Sequence, residues 1–225
     1  MGIFNVIRAA RENGIRSIVA ASSSEVYQRP RQIPTPEAVE LIVPDASNPR
    51  YSYGGSKILT ELAMMNASTD DFDVLAVFRP HNIYGPDMGF EHVIPQIIKK
   101  IMEANGREMR KINIHGDGSQ TRAFMYIDDF IRALRLMIKN AKGKSIIHIG
   151  VEDEVEIKHL VRFIGDILGF SVDIAAGEVP IGETDRRCPN VSKLRELGFS
   201  PQFSLEAGLF NTVNWYRNFY VSGKN

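Results

Sequence analysis

Cysteine is nearly absent. The 225 residues hold one, Cys188, so no internal disulfide can form and a reducing, cytoplasmic setting is expected. Net charge is absent too, with 27 basic and 27 acidic side chains. That balance argues against holding nucleic acid or an anionic membrane through a general basic field. No apolar run approaches the roughly 18 to 20 residues that span a bilayer. The opening MGIFNVIRAARENG carries charge where a signal peptide places its apolar stretch. The five histidines (81, 92, 115, 148, 159) show no HxxxH spacing, and with a single cysteine no metal site is expected. No G-x-S-x-G elbow occurs, which removes a serine hydrolase of that type.

What is present is alternation. Ile3, Val6, Ile7 and Ala10 recur at helical spacing, with Gly14 as a stop. SIVAA (17–21) and DVLAVFR (73–79) are short apolar runs of the kind that fill strands covered on both faces. Between them lie an irregular excursion, 28–50, with five prolines, and a helical pattern from Tyr53 through SKILTELAMMNAS. Helical patterns return in HVIPQIIKKIMEAN, DDFIRALRLMIKNA, EIKHLVRFIGDILG and SLEAGLFNTVNWYRNF. SIIHIG reads as another strand, and INIHGDG and TRAFMYI as two short strands joined by a Gly-Asp-Gly turn. Such alternation predicts an α/β fold with a mostly parallel sheet.

The chemistry-bearing residues cluster in two of these segments. Tyr53 and Lys57 are four apart in a helical pattern and share a face. Ser22, Ser23 and Ser24 follow directly on a strand, where parallel sheets place ligand-contacting loops. A lysine cation about 4 Å from a phenolate, at an effective dielectric of about 20, stabilises it by roughly 4 kcal/mol, enough to make a tyrosine a usable base. Taken alone, a YxxxK pair is more often a solvated helix face.

SIVAASSSEVY, YSYGGSK, VFRPHNIYGPD and IHGDGSQTRAFMYIDD, in that order, resemble the extended short-chain dehydrogenase/reductase family, and within it the NAD-dependent nucleotide-sugar epimerases and dehydratases. The resemblance implies a Rossmann-like parallel sheet with flanking helices over 1–87 and 127–150. It implies a small C-terminal α/β substrate domain over 88–126 and 151–225. Tyr53 is then the base for the sugar 4-hydroxyl, Lys57 supports it and bonds the nicotinamide ribose, and Ser23 is the catalytic serine. Pro80 and His81 would face the carboxamide of NAD or NADP. Asn82, His92, Val93 and Arg122 would contact a nucleotide-diphosphate sugar, with Arg187 a second arginine near sugar or phosphate. Glu25 either takes a proton at sugar C5 or serves as a cap or ion-pair partner.

By the same resemblance the reaction is 4-epimerisation through a transient 4-keto sugar, with 4,6-dehydration or decarboxylation as the alternative. A homodimer through helices 2–13 and 53–68 is implied. None of the eighteen glycines forms the G-x-x-G-x-x-G turn that opens the family's cofactor cradle. The N-terminal βαβ units are therefore expected to be missing and cofactor binding impaired. A non-catalytic fragment, or half of a split enzyme with a complementary N-terminal chain, is the second class of reading. The chain also departs from the family pattern: VYQ replaces VYG, Ala123 follows Arg122, His148-Ile149-Gly150 stands for NxG, and Asn190 replaces an aspartate.

Overall fold

A computed structural model describes residues 2–106, 111–179 and 184–221. The first half of the chain runs α1 (Gly2–Glu12), β1 (Ser17–Ala21), α2 (Ser52–Asn66), β2 (Val74–Pro80), β3 (Ile83–Tyr84), α3 (Val93–Gly106) and β4 (Lys111–His115). The second half runs β5 (Thr121–Ala123), β6 (Met125–Tyr126), α4 (Ile127–Asn140), β7 (Gly143–Ile149), β8 (Glu154–Glu156), α5 (Ile157–Leu168), β9 (Asp173–Gly177), β10 (Arg186–Arg187), α6 (Ser192–Glu196) and α7 (Leu205–Val221). The protein is α/β, with parallel sheets and flanking helices. Among the described residues no helix is long and apolar enough to cross a membrane. The chain divides into two compact units, 1–81 with 130–152 and 188–200, and 82–129 with 153–187 and 201–225.

The first unit is built on a parallel sheet of order β1-β2-β7. Ser17 to Ala21 align with Val74 to Phe78, and Val74 to Pro80 with Gly143 to Ile149. Helix α2 is the crossover between β1 and β2, so both strands run the same way. Met64 of α2 is buried with Ile18, Phe72, Leu75 and Val77, and Ile3, Ile7 and Ala10 of α1 pack on that cluster. Each such fully buried aliphatic side chain contributes about 1.5–3 kcal/mol. Of β1 only Ile18 is buried. Ile18 and Ala20 pack on the α2 cluster while the rest of the run is part-buried or exposed, so among the described residues β1 is not covered on both faces as its apolar run predicts. All three strands end at the same edge, where Ser22-Ser23, His81 and Gly150 follow.

Among its described residues the second unit has three small sheets, β10-β5-β8, β3-β6 and β4-β9, around a core from α3, α5 and α7. The expected strands on either side of the Gly-Asp-Gly turn are present, with Gly116 and Gly118 at positive φ. They do not pair with each other: β4 lies parallel to β9, and β5 joins β8 and β10. Strand β9, DIAAG, has low strand propensity, and its alanines gave no pattern to read. Gly177 explains part of that sequence, since a Cβ there would sit 2.6 Å from the Ile114 carbonyl oxygen. Asp129, at the start of α4, accepts the backbone N–H groups of Gln202 and Phe203 at 2.9–3.0 Å. Its place in the first helical turn therefore fixes a loop as well as suiting the helix dipole.

Candidate functional site

In the first unit the serine turn is shaped by its own side chains. Ser23, 7% exposed, has an extended backbone, and its Oγ accepts the Glu25 N–H at 3.2 Å to cap the 3-10 turn Ser24–Val26. Because Oγ is the acceptor there, the Ser23 hydroxyl proton remains available to donate. Tyr53, in the first turn of α2, is 53% exposed. Lys57, one turn on, holds its ammonium 5.7 Å from the Tyr53 ring centroid and donates to the Ala21 carbonyl oxygen at 3.0 Å. The tyrosine and lysine thus share an exposed face at the C-terminal end of β1. Helix α2 comes this close to the serine turn because residue 54 is glycine. A Cβ there would meet Glu25 O and Gln28 Nε2, each at 2.8 Å.

Gln28 accounts for the VYQ departure. Its φ is +53°, a region glycine enters freely and other L-residues at a cost of about 1–2 kcal/mol. The Gln28 side chain offsets this by donating from Nε2 to Glu25 O at 2.6 Å. Gln28→Gly is therefore expected to change stability by less than about 1 kcal/mol, as strain relief and a lost hydrogen bond cancel. Gln28→Val, β-branched at positive φ, should melt clearly lower. Equal melting of the two variants would contradict this balance.

Beneath the turn lies a buried polar network that the sequence did not disclose. Glu61, one turn after Lys57 on α2, and Arg79, near the end of β2, are 3% and 1% exposed. Arg79 Nε and Nη2 donate to the two Glu61 carboxylate oxygens at 2.7 and 2.5 Å. Ser22 Oγ donates to the same carboxylate. Arg79 Nη1 donates to the Tyr27 hydroxyl and, at 2.9 Å, to Glu37 O. Burial alone would lower the Arg79 pKa, but the hydrogen bond to Glu61 and the neighbouring Tyr27 and Glu61 reverse this and hold it above the ordinary value. Burial pushes the Tyr27 phenol up, against Arg79. The proline-rich excursion 28–50 thus delivers Glu37, whose Oε1 also accepts the His148 N–H at 3.1 Å.

His148 completes the network. The Asn190 carbonyl oxygen accepts from Nδ1 at 3.0 Å, so Nε2 accepts a hydrogen bond from the Tyr27 hydroxyl at 2.6 Å. Burial, first, lowers the His148 pKa to about 4, with Arg79 and Lys193 adding to the shift and Glu37 and Asn190 O opposing it. In the folded protein the ring stays neutral, while the unfolded chain takes a proton below pH about 6.5. Stability is therefore lost as pH falls from about 6.5 to about 4. At pH 5 this group alone should cost about 2 kcal/mol relative to pH 7. Urea midpoints across pH 4–7 check it, and a slope unchanged in His148→Gln would contradict it.

At the same edge, Pro80 pairs with Ile149, and the His81 N–H donates to Ile149 O at 2.9 Å.

The second unit holds an open pocket of about 120 Å³. Val93, Ile97, Ile114 and Phe124 line its apolar side, and Asn82, Gln96, Lys100, His115, Gln120 and Arg122 its polar side. Asn82 has φ +43°, which asparagine tolerates. Its Nδ2 donates to Ala123 O at 3.1 Å and its own carbonyl accepts the Met125 N–H. Arg122 donates to the carbonyl oxygens of Thr121, Thr184 and Asp185 at 2.7–3.3 Å. Of the residues singled out in sequence, Asn82, Val93 and Arg122 come together here. His92 is not in this lining; its Nε2 lies 3.5 Å from Glu91 Oε1. Arg187 is not in it either, and its Nε donates to Thr184 Oγ1 at 2.8 Å. Among the described residues no three His, Cys, Asp or Glu side chains converge to hold a metal ion.

The C-terminal ends of the parallel strands, with the serine turn and the tyrosine–lysine pair of α2 beside them, are where α/β proteins place their ligand-contacting loops. Residues 1–150 match the NAD dependent epimerase/dehydratase family, and the chain belongs to it. It is 32% identical to a UDP-N-acetyl-alpha-D-glucosaminuronate decarboxylase of Bacillus cytotoxicus, over 96% of this chain and 68% of that protein. It is 28% identical to a probable GDP-L-fucose synthase of Oryza sativa, over 98% and 68%. The dTDP-glucose 4,6-dehydratase of Streptomyces venezuelae, solved with NAD bound, superposes with a TM-score of 0.80 at 28% identity, over 96% of this chain and 65% of that one. A UDP-N-acetylglucosamine 4-epimerase from Methanobrevibacter ruminantium shares the fold, with a TM-score of 0.83 at 24% identity, over 96% and 67%. The chain thus spans about two thirds of the length of these relatives.

Proposed function

We propose that this protein acts on a nucleotide-diphosphate sugar by oxidising its C4 transiently to a ketone and restoring it, with 4-epimerisation as the outcome. The observation that carries the reading is the Lys57 ammonium beside the exposed Tyr53 ring, next to the Ser23 turn at the C-terminal edge of the sheet. The exposed pair fits the nicotinamide half of NAD, which when bound supplies a reversible hydride acceptor. Lys57, after its bond to Ala21 O, keeps ammonium protons for a ribose hydroxyl and for the Tyr53 oxygen. Tyr53 takes the proton of the 4-hydroxyl, and the free Ser23 hydroxyl proton is donated to the same oxygen. Pro80 and His81 would border the carboxamide.

In the second unit, Asn82, Val93 and Arg122 would take the nucleotide end, with His92 and Arg187 as outer contacts. Decarboxylation is the second reading, favoured by the 32% identity to a sugar-acid decarboxylase and by Glu25 beside the serine turn. Calorimetric titration with NAD, followed by turnover assays on UDP-, dTDP-, GDP- and CDP-sugars, tests the proposal. Micromolar NAD binding with conversion of one sugar supports it. Binding and turnover only after a separate N-terminal Rossmann half is added would establish the split-enzyme form.

A homodimer is part of the same proposal. Helices α1 and α2 expose Phe4, Val6, Leu59 and Leu62, each more than half accessible, an apolar surface suited to a second copy. Sedimentation should show a dimer, and a monomer at every concentration would refute it.

A further inference from the structure

We propose that Glu61 and Arg79 are the positioning residues of this site, their buried pair fixing the depth and rotation of α2, and so of Tyr53 and Lys57, against the serine turn. The inference rests on the reading of Tyr53, Lys57 and Ser23 as the reactive set. Tyr53, Lys57 and Glu61 recur every four residues and share one face of α2, with Glu61 at its buried end. The Glu61 carboxylate meets three groups from two strand ends: Ser22 Oγ, directly before Ser23, and the two nitrogens of Arg79, directly before Pro80 and His81. The third nitrogen of the Arg79 fork reaches Tyr27, which closes the 3-10 turn, and Glu37 of the long excursion. One ion pair thus ties together the helix bearing the base, the serine turn and the end of β2.

The planar guanidinium accepts only one arrangement of two carboxylate oxygens, so the pair sets angle as well as distance. An apolar pair of similar volume would fill the space without that angular constraint. A misplacement of about 1 Å is enough to lower turnover about a hundredfold.

The test is the double variant Glu61→Leu/Arg79→Met beside Tyr53→Phe and the unaltered protein, in two assays. The first is amide exchange without ligand at Ser22, whose N–H bonds Phe78 O, and at Glu25, whose N–H bonds Ser23 Oγ. With global melting matched, exchange at both should quicken at least tenfold. The second is steady-state turnover with NAD and the converted nucleotide sugar, where kcat should fall about a hundredfold with KM little changed. Arg79→Lys, which keeps the charge but loses the fork, should reproduce the kcat loss. Unchanged exchange at Ser22 and Glu25 overturns the proposal whatever the turnover. Wild-type kcat in the double variant overturns it equally. Absence of turnover in the unaltered protein refutes the assigned reaction instead, and the exchange assay still decides the positioning role.

Discussion

Tyr53→Phe is expected to lower turnover by about 10²–10⁴-fold while leaving the fold intact. The range is that of a positioned acid–base group in proton transfer, and the phenol oxygen is the only atom removed. Tyr53 is 53% exposed, and substitutions at such surface positions change stability by about 0.5 kcal/mol or less. The neighbouring ring contact with Lys57 survives in phenylalanine. Steady-state kinetics paired with thermal melts measure both quantities. A variant that melts normally and turns over normally would remove Tyr53 from the chemistry.

Glu61→Ala has the opposite profile: a large stability loss, expected at about 3–5 kcal/mol. Removing one partner of a buried ion pair leaves the other charge without compensation. Arg79 is 1% exposed, and the groups left to it are the neutral Tyr27 hydroxyl and the Glu37 carbonyl. Neither supplies a negative charge. Ser22 Oγ loses its acceptor as well. Urea unfolding gives the magnitude; a loss below about 1 kcal/mol would show that water reaches Arg79 readily. The pair itself is no evidence of net stabilisation, since apolar replacement of both members is often neutral.

The sequence made the long elements readable because periodicity and local chemistry agreed. Helix α2 and strand β2 announce themselves through apolar spacing, and the common face of Tyr53 and Lys57 follows from helical geometry alone. Strand β9 was silent, because Ala-Ala-Gly acquires its conformation from β4 rather than from its own propensity. No sequence pattern marks Arg79 and Glu61 as partners, although Glu61 lies four residues after Lys57. Their meeting depends on contacts 18 residues apart in sequence, and no local pattern reports burial of a charge. The same holds for His148, whose partners Tyr27, Glu37 and Asn190 come from distant segments. Its place in the buried network gives a physical reason for a histidine where the family pattern has asparagine. Asn82, Val93 and Arg122 were read from the family resemblance, whereas Gln96 and Lys100 of the same pocket needed the packing to reveal them, and His115 and Gln120 lie within the IHGDGSQTRAFMYIDD block without a role assigned to them there.

The most direct test of a C4 reaction is proton NMR of the conversion in deuterated water, with NAD present and UDP-, dTDP-, GDP- and CDP-hexoses as substrates. A sugar inverted at C4, with its original C4 hydrogen retained and no deuterium introduced there, is the expected result. All four classes of sugar unchanged, or deuterium at C4 of the product, would contradict it.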